Sequence, residues 1–392
     1  MLENGRQLDV TQRRPRGGFP FPYSPQTVKD EGGHVSLRQH TRPGLALLAD
    51  RFNTLRYEDG RVILLDRRVY PFRTEYAACT TVEEVARAIE DMVVQGGPPL
   101  AYAAGLGLVL AAEAVRDRPA AQQREALQQA ARRLLRTRPT ADDLFHVVPT
   151  ALRVGEEALA RGDDVPAAIL KYVNGEIERG NRVAEACGRH AADLIRDGDR
   201  ILTHCIPGAA LCWMLYIAVH EQGKQVELWP TETRPYLQGA RLTAACGLET
   251  GVPVTVITDG MVAHVMAAGK VNVYITAADR IAMDGHVANK VGTLHNAIAA
   301  HHFGIPYYVL GYDGPDPNTR TGQDIVIEER DPEEVLRCRG AEGTVRTAVP
   351  GARAYYPAFD ITPPHLITAI VTDRGVFPAP LIGRYHAHIP PS

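Results

Sequence analysis

Arg200-Ile-Leu-Thr-His-Cys205 and Val271-Asn-Val-Tyr-Ile-Thr-Ala-Ala-Asp279 each carry a hydrophobic run to a stop at a reactive side chain, a thiol in one and a carboxylate in the other. Short apolar runs bounded in this way read as buried strands. Further strands are expected at 226–229, 253–258 and 306–311, with helices near 209–222, 236–249, 260–268 and 293–303. Strand, helix and strand in this rhythm mark a doubly wound parallel sheet, and the intervals leave room for its crossovers. Ligands of such sheets bind beyond the carboxyl ends of the strands, so Cys205 and Asp279 are expected to face one crevice.

The first half of the chain has a different texture. Leu55-Arg-Tyr and Val62-Ile-Leu-Leu flank Asp59-Gly60, a hairpin pattern. Thr81, with Glu84 three residues on, is placed to cap a helix whose apolar residues Val82, Val85, Ile89 and Val93 follow helical spacing. Helices are also expected over 101–115, 120–136 and 141–161. The expected organisation is therefore an N-terminal extension (1–50) rich in Gly, Pro, Arg and Gln, a smaller, mostly helical domain (51–180) and a sheet domain (181–392). The extension is read as loosely ordered or as an arm packed on a neighbour, with Gly18-Phe-Pro-Phe-Pro-Tyr23 as its aromatic segment.

Among the 392 residues, 43 Lys and Arg stand against 46 Asp and Glu, which gives no reason to expect nucleic acid or an acidic membrane surface as a partner. No apolar run approaches the roughly 20 residues of a membrane span, and no signal-peptide core opens the chain, so a cytoplasmic protein is expected. The six cysteines lack a C-x-x-C pair, signalling neither a zinc site nor a disulfide framework. His295, His301 and His302 have no carboxylates at metal-ligand spacing and read as surface.

Cys205 precedes Pro207 and Gly208, which open a helix; a helix N-terminus lowers a nearby thiol's pKa and offers amides to an anion. The plainer reading is a small buried side chain. Asp279 is flanked by Ala277 and Ala278, and a carboxyl in an apolar crevice stays partly protonated and can act as general acid or base. Pairing with Arg280 would instead make it structural. His204 could tune the thiol or be satisfied by backbone. No Gly-x-Gly-x-x-Gly follows the first strand, so a dinucleotide is poorly supported.

Beyond these two residues, Thr203-His-Cys205, Thr231-Glu-Thr-Arg-Pro235, Gln238-Gly-Ala-Arg-Leu-Thr243, Ala278-Asp-Arg-Ile281, Val287-Ala-Asn-Lys-Val-Gly-Thr293, Ile327-Glu-Glu-Arg-Asp-Pro332 and Pro357-Ala-Phe-Asp-Ile-Thr-Pro-Pro364 resemble the methylthioribose-1-phosphate isomerase family. Ribose-1,5-bisphosphate isomerases and the regulatory subunits of translation initiation factor 2B are its superfamily relatives. The resemblance covers roughly residues 55 to 380. It implies a C-terminal Rossmann-like domain, a homodimer, a sugar-phosphate substrate, no metal or organic cofactor, and conversion of a cyclic aldose 1-phosphate to an open-chain ketose 1-phosphate. By resemblance the catalytic thiol falls on Cys205 and the catalytic acid on Asp279, with substrate contacts on Gln95, Gly96, Gly97, Arg138, Gln238, Asn289 and Lys290. These types suit the task. Arg138 and Lys290 are cations for a phosphate, the glycines admit close backbone approach, and Gln238 and Asn289 both donate and accept.

The chain also departs from the family pattern. Gln95-Gly-Gly-Pro-Pro99 stands where the family shows Arg-Gly-Ala-Pro-Ala, removing a cation. Ile206-Pro-Gly208 replaces Asn-Ala-Gly, and Thr231 replaces Asp, as in the ribose-bisphosphate branch. The substituent on the sugar's C5 is therefore open between methylthio, deoxy and phosphate. Regulatory relatives bind sugar phosphates or nucleotides without turnover; the Cys and Asp pair argues for catalysis here.

Overall fold

The computed structural model describes residues 42–138, 142–340 and 343–387. Residues 1–41, including Gly18–Tyr23, lie outside it. The last residues of the expected extension do not stand apart: Ala46, Leu48 and Ala49 are buried in the same apolar cluster as the helices behind the main sheet.

Strands β1 (Leu55–Glu58) and β2 (Arg61–Leu65) form the expected hairpin, and β3 (Tyr76–Cys79) extends it to three antiparallel strands. Its turn residues Asp59 and Gly60 both take positive φ, the geometry that matches strand twist. Helix α1 (Val82–Glu90) starts on the anticipated capping box, with Thr81 Oγ1 accepting from the Glu84 amide. Helices α2 (Gly97–Ala114), α3 (Ala120–Leu135) and α4 (Asp142–Arg161) follow near their expected positions. Then α5 (Val165–Leu194), which the sequence reading did not propose, runs for 30 residues through position 180, the expected domain boundary.

From there the chain alternates: β4 (Arg200–Thr203), α6 (Ala209–Tyr216), β5 (Glu227–Pro230), α7 (Ala244–Glu249), α8 (Val262–Ala267), β6 (Val273–Ala277), β7 (Arg280–Ile281), β8 (Val287–Lys290), α9 (Thr293–His302) and β9 (Tyr307–Tyr312). Helix α10 (Glu333–Leu336), the hairpin β10 (Arg337–Gly340) and β11 (Gly343–Arg346), and β12 (Phe359–Thr362), β13 (Ala369–Thr372) and β14 (Gly375–Phe377) complete it. The main sheet has the order β14-β13-β9-β6-β4-β5 and is parallel except for β14. Side chains alternate across it as a sheet covered on both faces requires: Ile201, Val273 and Ile275 pack with α5 and α6, while Leu202 and Tyr274 pack with α8 and α9.

One expected strand does not form. Residues 253–258 run beside β5 but make only two bridges, Leu228 to Val254 and Thr231 to Ile257. Pro253 has no N–H for a ladder, and this edge is left irregular. A second small sheet, β12-β8-β7, places Asn289 and Lys290 beside the carboxyl end of β6. His295, His301 and His302 are exposed on α9, as expected.

Candidate active site

Because β4 pairs directly with β6, the loops leaving their carboxyl ends emerge side by side and carry Cys205 and Asp279. Cys205 is 8% exposed and takes φ 66°, a left-handed conformation costly for a residue with a Cβ. Hydrogen bonds hold it there. Its amide donates to Thr233 Oγ1 (2.9 Å) and its carbonyl accepts from Thr243 Oγ1 (2.6 Å). Thr233 and Leu237 are left-handed as well, and Asp259 accepts from the amides of Thr233 (2.9 Å) and Arg234 (2.7 Å). Three strained residues fastened around one thiol are the kind of stored distortion that clusters at functional sites.

His204 is buried and serves this scaffold. Its Nε2–H donates to the Val291 carbonyl (3.0 Å), which assigns the tautomer, and Nδ1 accepts from Thr231 Oγ1 (2.6 Å). Burial lowers its pKa, so the ring is neutral. The satisfied-histidine reading is the one observed.

The thiol's acidity runs opposite to the sequence expectation. Burial, and next the Asp279 charge, push Cys205 up to about 11, against lowering by Lys290, by a hydrogen bond from Gln238 Nε2 (3.4 Å) and by the Ile206 amide. Helix α6 begins only at Ala209, and desolvation of the sulfur outweighs the amides it receives.

Asp279 sits just past β6, its amide donating to the Ala288 carbonyl (2.9 Å). Its residue surface remains open to solvent within the crevice, yet surrounding protein raises the carboxyl to about 6, with Glu328 adding to the rise and Lys290 and Arg138 opposing it. Arg280 points elsewhere, donating to Thr319 Oγ1 at 3.5 Å. Lys290 is buried, with Nζ 4.4 Å from the Phe359 ring centroid and 5.8 Å from that of Tyr356; burial lowers its pKa while Cys205 and Asp279 pull it back. Arg138 faces Glu328 (3.8 Å) and donates to Met92 Sδ (2.8 Å). Cys205, Asp279, Lys290, Gln238 and Arg138 thus form one electrostatic group.

The remaining anticipated residues lie around this group with other engagements. Asn289 donates through Nδ2 to Thr293 Oγ1 (3.0 Å). Gly96 takes φ 86° as the N-cap of α2, and a Cβ on Gly97 would fall 2.1 Å from Asp143 Oδ2, so this turn accepts no side chain without displacement. Gln95 gives its side-chain amide to the Met92 carbonyl (3.0 Å) and to Tyr236 Oη (2.7 Å). Met92 and Tyr236 line a groove of about 350 Å³ with Pro235, Arg330 and Arg339. A separate cavity of about 300 Å³ is bounded by Tyr102, Asp143, Arg179 and Tyr312, and neither space is lined by Cys205 or Asp279. Tyr312 lies between it and the thiol loop, its hydroxyl donating to the Pro207 carbonyl (2.6 Å).

Sequence reasoning assigned no role to Thr231, Thr233, Thr243, Met92, Tyr236 or Glu328. Four of the six fall inside the quoted segments, which was a signal, but hydrogen-bonding partners cannot be read along one dimension. Among the described residues no group of three His, Cys, Asp or Glu side chains could hold a metal, and no helix is long and apolar enough to cross a membrane.

Known proteins resemble this chain in sequence and fold. Residues 93–379 match the initiation factor 2 subunit family. The methylthioribose-1-phosphate isomerase of Thermosipho africanus is 40% identical over 336 residues, covering 82% of this chain and 94% of that one. Its namesake from Thermus thermophilus is 39% identical over 332 residues, covering 82% and 93%. Among solved structures, 5-methylthioribose 1-phosphate isomerase from Pyrococcus horikoshii OT3 superposes with a TM-score of 0.77 at 34% identity, covering 89% of this chain and 98% of that one. The translation initiation factor eIF-2B subunit delta from A. fulgidus gives 0.70 at 35% identity, covering 83% and 96%.

Proposed function

This chain belongs to the initiation factor 2 subunit family and stands with its methylthioribose-1-phosphate isomerases; on that premise we propose that it isomerises a 5-modified ribose 1-phosphate, with S-methyl-5-thioribose 1-phosphate first in line, to the corresponding ribulose 1-phosphate. The observation that carries this reading is the pairing, on adjacent parallel strand ends, of a carboxyl raised to about 6 with a buried, protonated thiol.

An anomeric phosphate blocks ring opening to a free aldehyde. Asp279, protonated, gives its proton to the ring oxygen; the C1–O bond breaks with its electrons going to that oxygen, and C1 becomes an oxocarbenium carbon. The hydrogen on C2 then moves with its electron pair to C1, C2 becomes the carbonyl, and the C2 hydroxyl proton returns to the Asp279 carboxylate. A thiol near pKa 11 is a poor resident base at neutral pH, which favours this hydride route over proton abstraction by a Cys205 thiolate. Cys205 then lines the reacting C1–C2 edge as a neutral, desolvated group. Gln238 is buried beside it with Oε1 unpartnered among the described residues, suited to accept from a sugar hydroxyl. Lys290, Arg138 and the Gly96–Gly97 amides at the N-terminus of α2 suit the phosphate. A homodimer belongs to the same proposal and is tested by light scattering.

Proton NMR of the purified protein with methylthioribose 1-phosphate, 5-deoxyribose 1-phosphate and ribose 1,5-bisphosphate tests the activity, with Asp279→Asn as control. Ketose from one sugar, lost in the variant, is expected. Deuterium placed at C2 should appear at C1 of the product, and its loss to water would refute the hydride route. Saturable binding of a sugar phosphate without turnover would overturn the enzyme reading in favour of a sensor.

A further inference from the structure

Gln95 occupies the position of a family arginine, yet its side chain does not point a free amide at the crevice. Nε2 is spent on the Met92 carbonyl (3.0 Å) and on Tyr236 Oη (2.7 Å). The Arg241 guanidinium lies over the Tyr236 ring, its Cζ 5.1 Å from the centroid. Arg241 is in turn anchored, donating through Nη1 to the Arg67 carbonyl (3.1 Å) and through Nη2 to the Tyr236 carbonyl (3.1 Å). A phenol has two lone pairs and one hydrogen. With the Gln95 amide donating to the oxygen, the phenol keeps its hydrogen to offer, and no described residue accepts it.

Tyr236 lines the groove together with Met92, Arg330 and Arg339. The Met92 sulfur also receives Arg138, which brings that cation to the same groove residue, close in sequence to the turn that opens α2. Two residues along, Gln238 touches the Cys205 sulfur, so one loop serves both the thiol and the groove. An O–H whose oxygen already accepts a hydrogen bond is polarised into a stronger donor, and a phosphate oxygen is an acceptor that suits it.

We propose that Tyr236 is a substrate-binding residue whose phenolic O–H donates to a phosphate oxygen of the sugar phosphate, and that Gln95 is a positioning residue that holds it there. The chain thereby replaces a charged contact with a neutral one delivered from a different segment. This inference rests on the sugar-phosphate reading of the site.

The test measures kcat, KM and the inhibition constant of inorganic phosphate for wild type, Tyr236→Phe, Gln95→Met and the double variant, with the sugar that the wild type turns over. A lost hydrogen bond to a charged group should raise KM and the phosphate constant together in Tyr236→Phe by roughly tenfold or more, with kcat within about twofold. Gln95→Met should raise KM less, and the double variant should match Tyr236→Phe alone. An unchanged KM in Tyr236→Phe overturns the binding role; additive effects in the double variant overturn the positioning role, since Gln95 would then touch substrate itself. If the wild type turns over none of the three sugars, the isomerase reading fails separately. This inference is then read from the dissociation constant of inorganic phosphate alone, and equal affinity in wild type and Tyr236→Phe refutes it.

Discussion

Alkylation of Cys205 tests the physical core of the site. Moving the thiol from its ordinary value near 9 to about 11 corresponds to about 2.7 kcal/mol against the thiolate. At pH 8 about one molecule in a thousand would carry the thiolate, compared with about one in ten for an unperturbed thiol, a rate penalty of roughly 100-fold before steric access is counted. Iodoacetamide labelling of the native protein, with the Cys205 peptide followed by mass spectrometry, should therefore rise about tenfold per pH unit from 7 to 10 without levelling. Two substitutions give the sign of each neighbour. Asp279→Asn removes a charge that raises the thiol and should speed labelling; Lys290→Met removes one that lowers it and should slow it. A rate that levels off below pH 8.5 in the wild type would refute the argument and restore the helix-end account. The linkage has a definite direction too. Between about 9 and 11 the unfolded chain has released this proton and the folded chain has not, so stability falls as pH rises, and Cys205→Ser should remove that share of the loss.

Asp279→Asn should lower kcat by about 100-fold or more with KM within a few-fold, measured by the NMR assay; substantial residual turnover removes Asp279 from the acid role. Because the protonated carboxyl is the donor, wild-type kcat/KM should fall about tenfold per unit above pH 6, and a profile flat to pH 8 would contradict this. Gly239→Ala would put a Cβ 1.9 Å from the Thr231 carbonyl oxygen, so a loss of about 1–3 kcal/mol in urea unfolding is expected, with Gln238 displaced and activity reduced; a neutral substitution would show the backbone yields. His204 is neutral when buried and takes up a proton on unfolding, so it costs stability as pH falls below its ordinary value of 6.5, by up to about 1.4 kcal/mol per unit. The difference in urea midpoint between wild type and His204→Gln should therefore narrow from pH 7 to 5, and a constant difference would refute it.

The parts of the molecule legible in the sequence were those in which one periodicity acts alone. The hairpin around Asp59-Gly60, the Thr81 capping box and the runs ending at Cys205 and Asp279 all formed as read. Helix α5 could have been read from Asp164, which caps it, and from Ile169, Val173, Ile177, Ala184 and Ala191 at helical spacing, but the change of texture near Gly180 masked its continuity. Strands β7, β13 and β14 are two to four residues long, too short for alternation to stand out. At the site, residue types were legible and environments were not. The acidity of Cys205 depends on how much water the fold removes from its sulfur, and the engagement of Gln95 with Tyr236 spans 141 positions of chain.

Helix α5 has a further consequence. At about 1.5 Å per residue it is a rod of about 45 Å, and it is common property of two apolar cores. Val173 and Ile177 complete the cluster of α2 and α4, while Ala184, Cys187 and Ala191 complete the one behind the sheet. Neither half retains a whole interior without it. Heat or denaturant should melt both cores in one transition, and a chain divided at residue 180 would leave each fragment with a severed helix and a bare apolar face, able to recover activity only by reassembling with its counterpart.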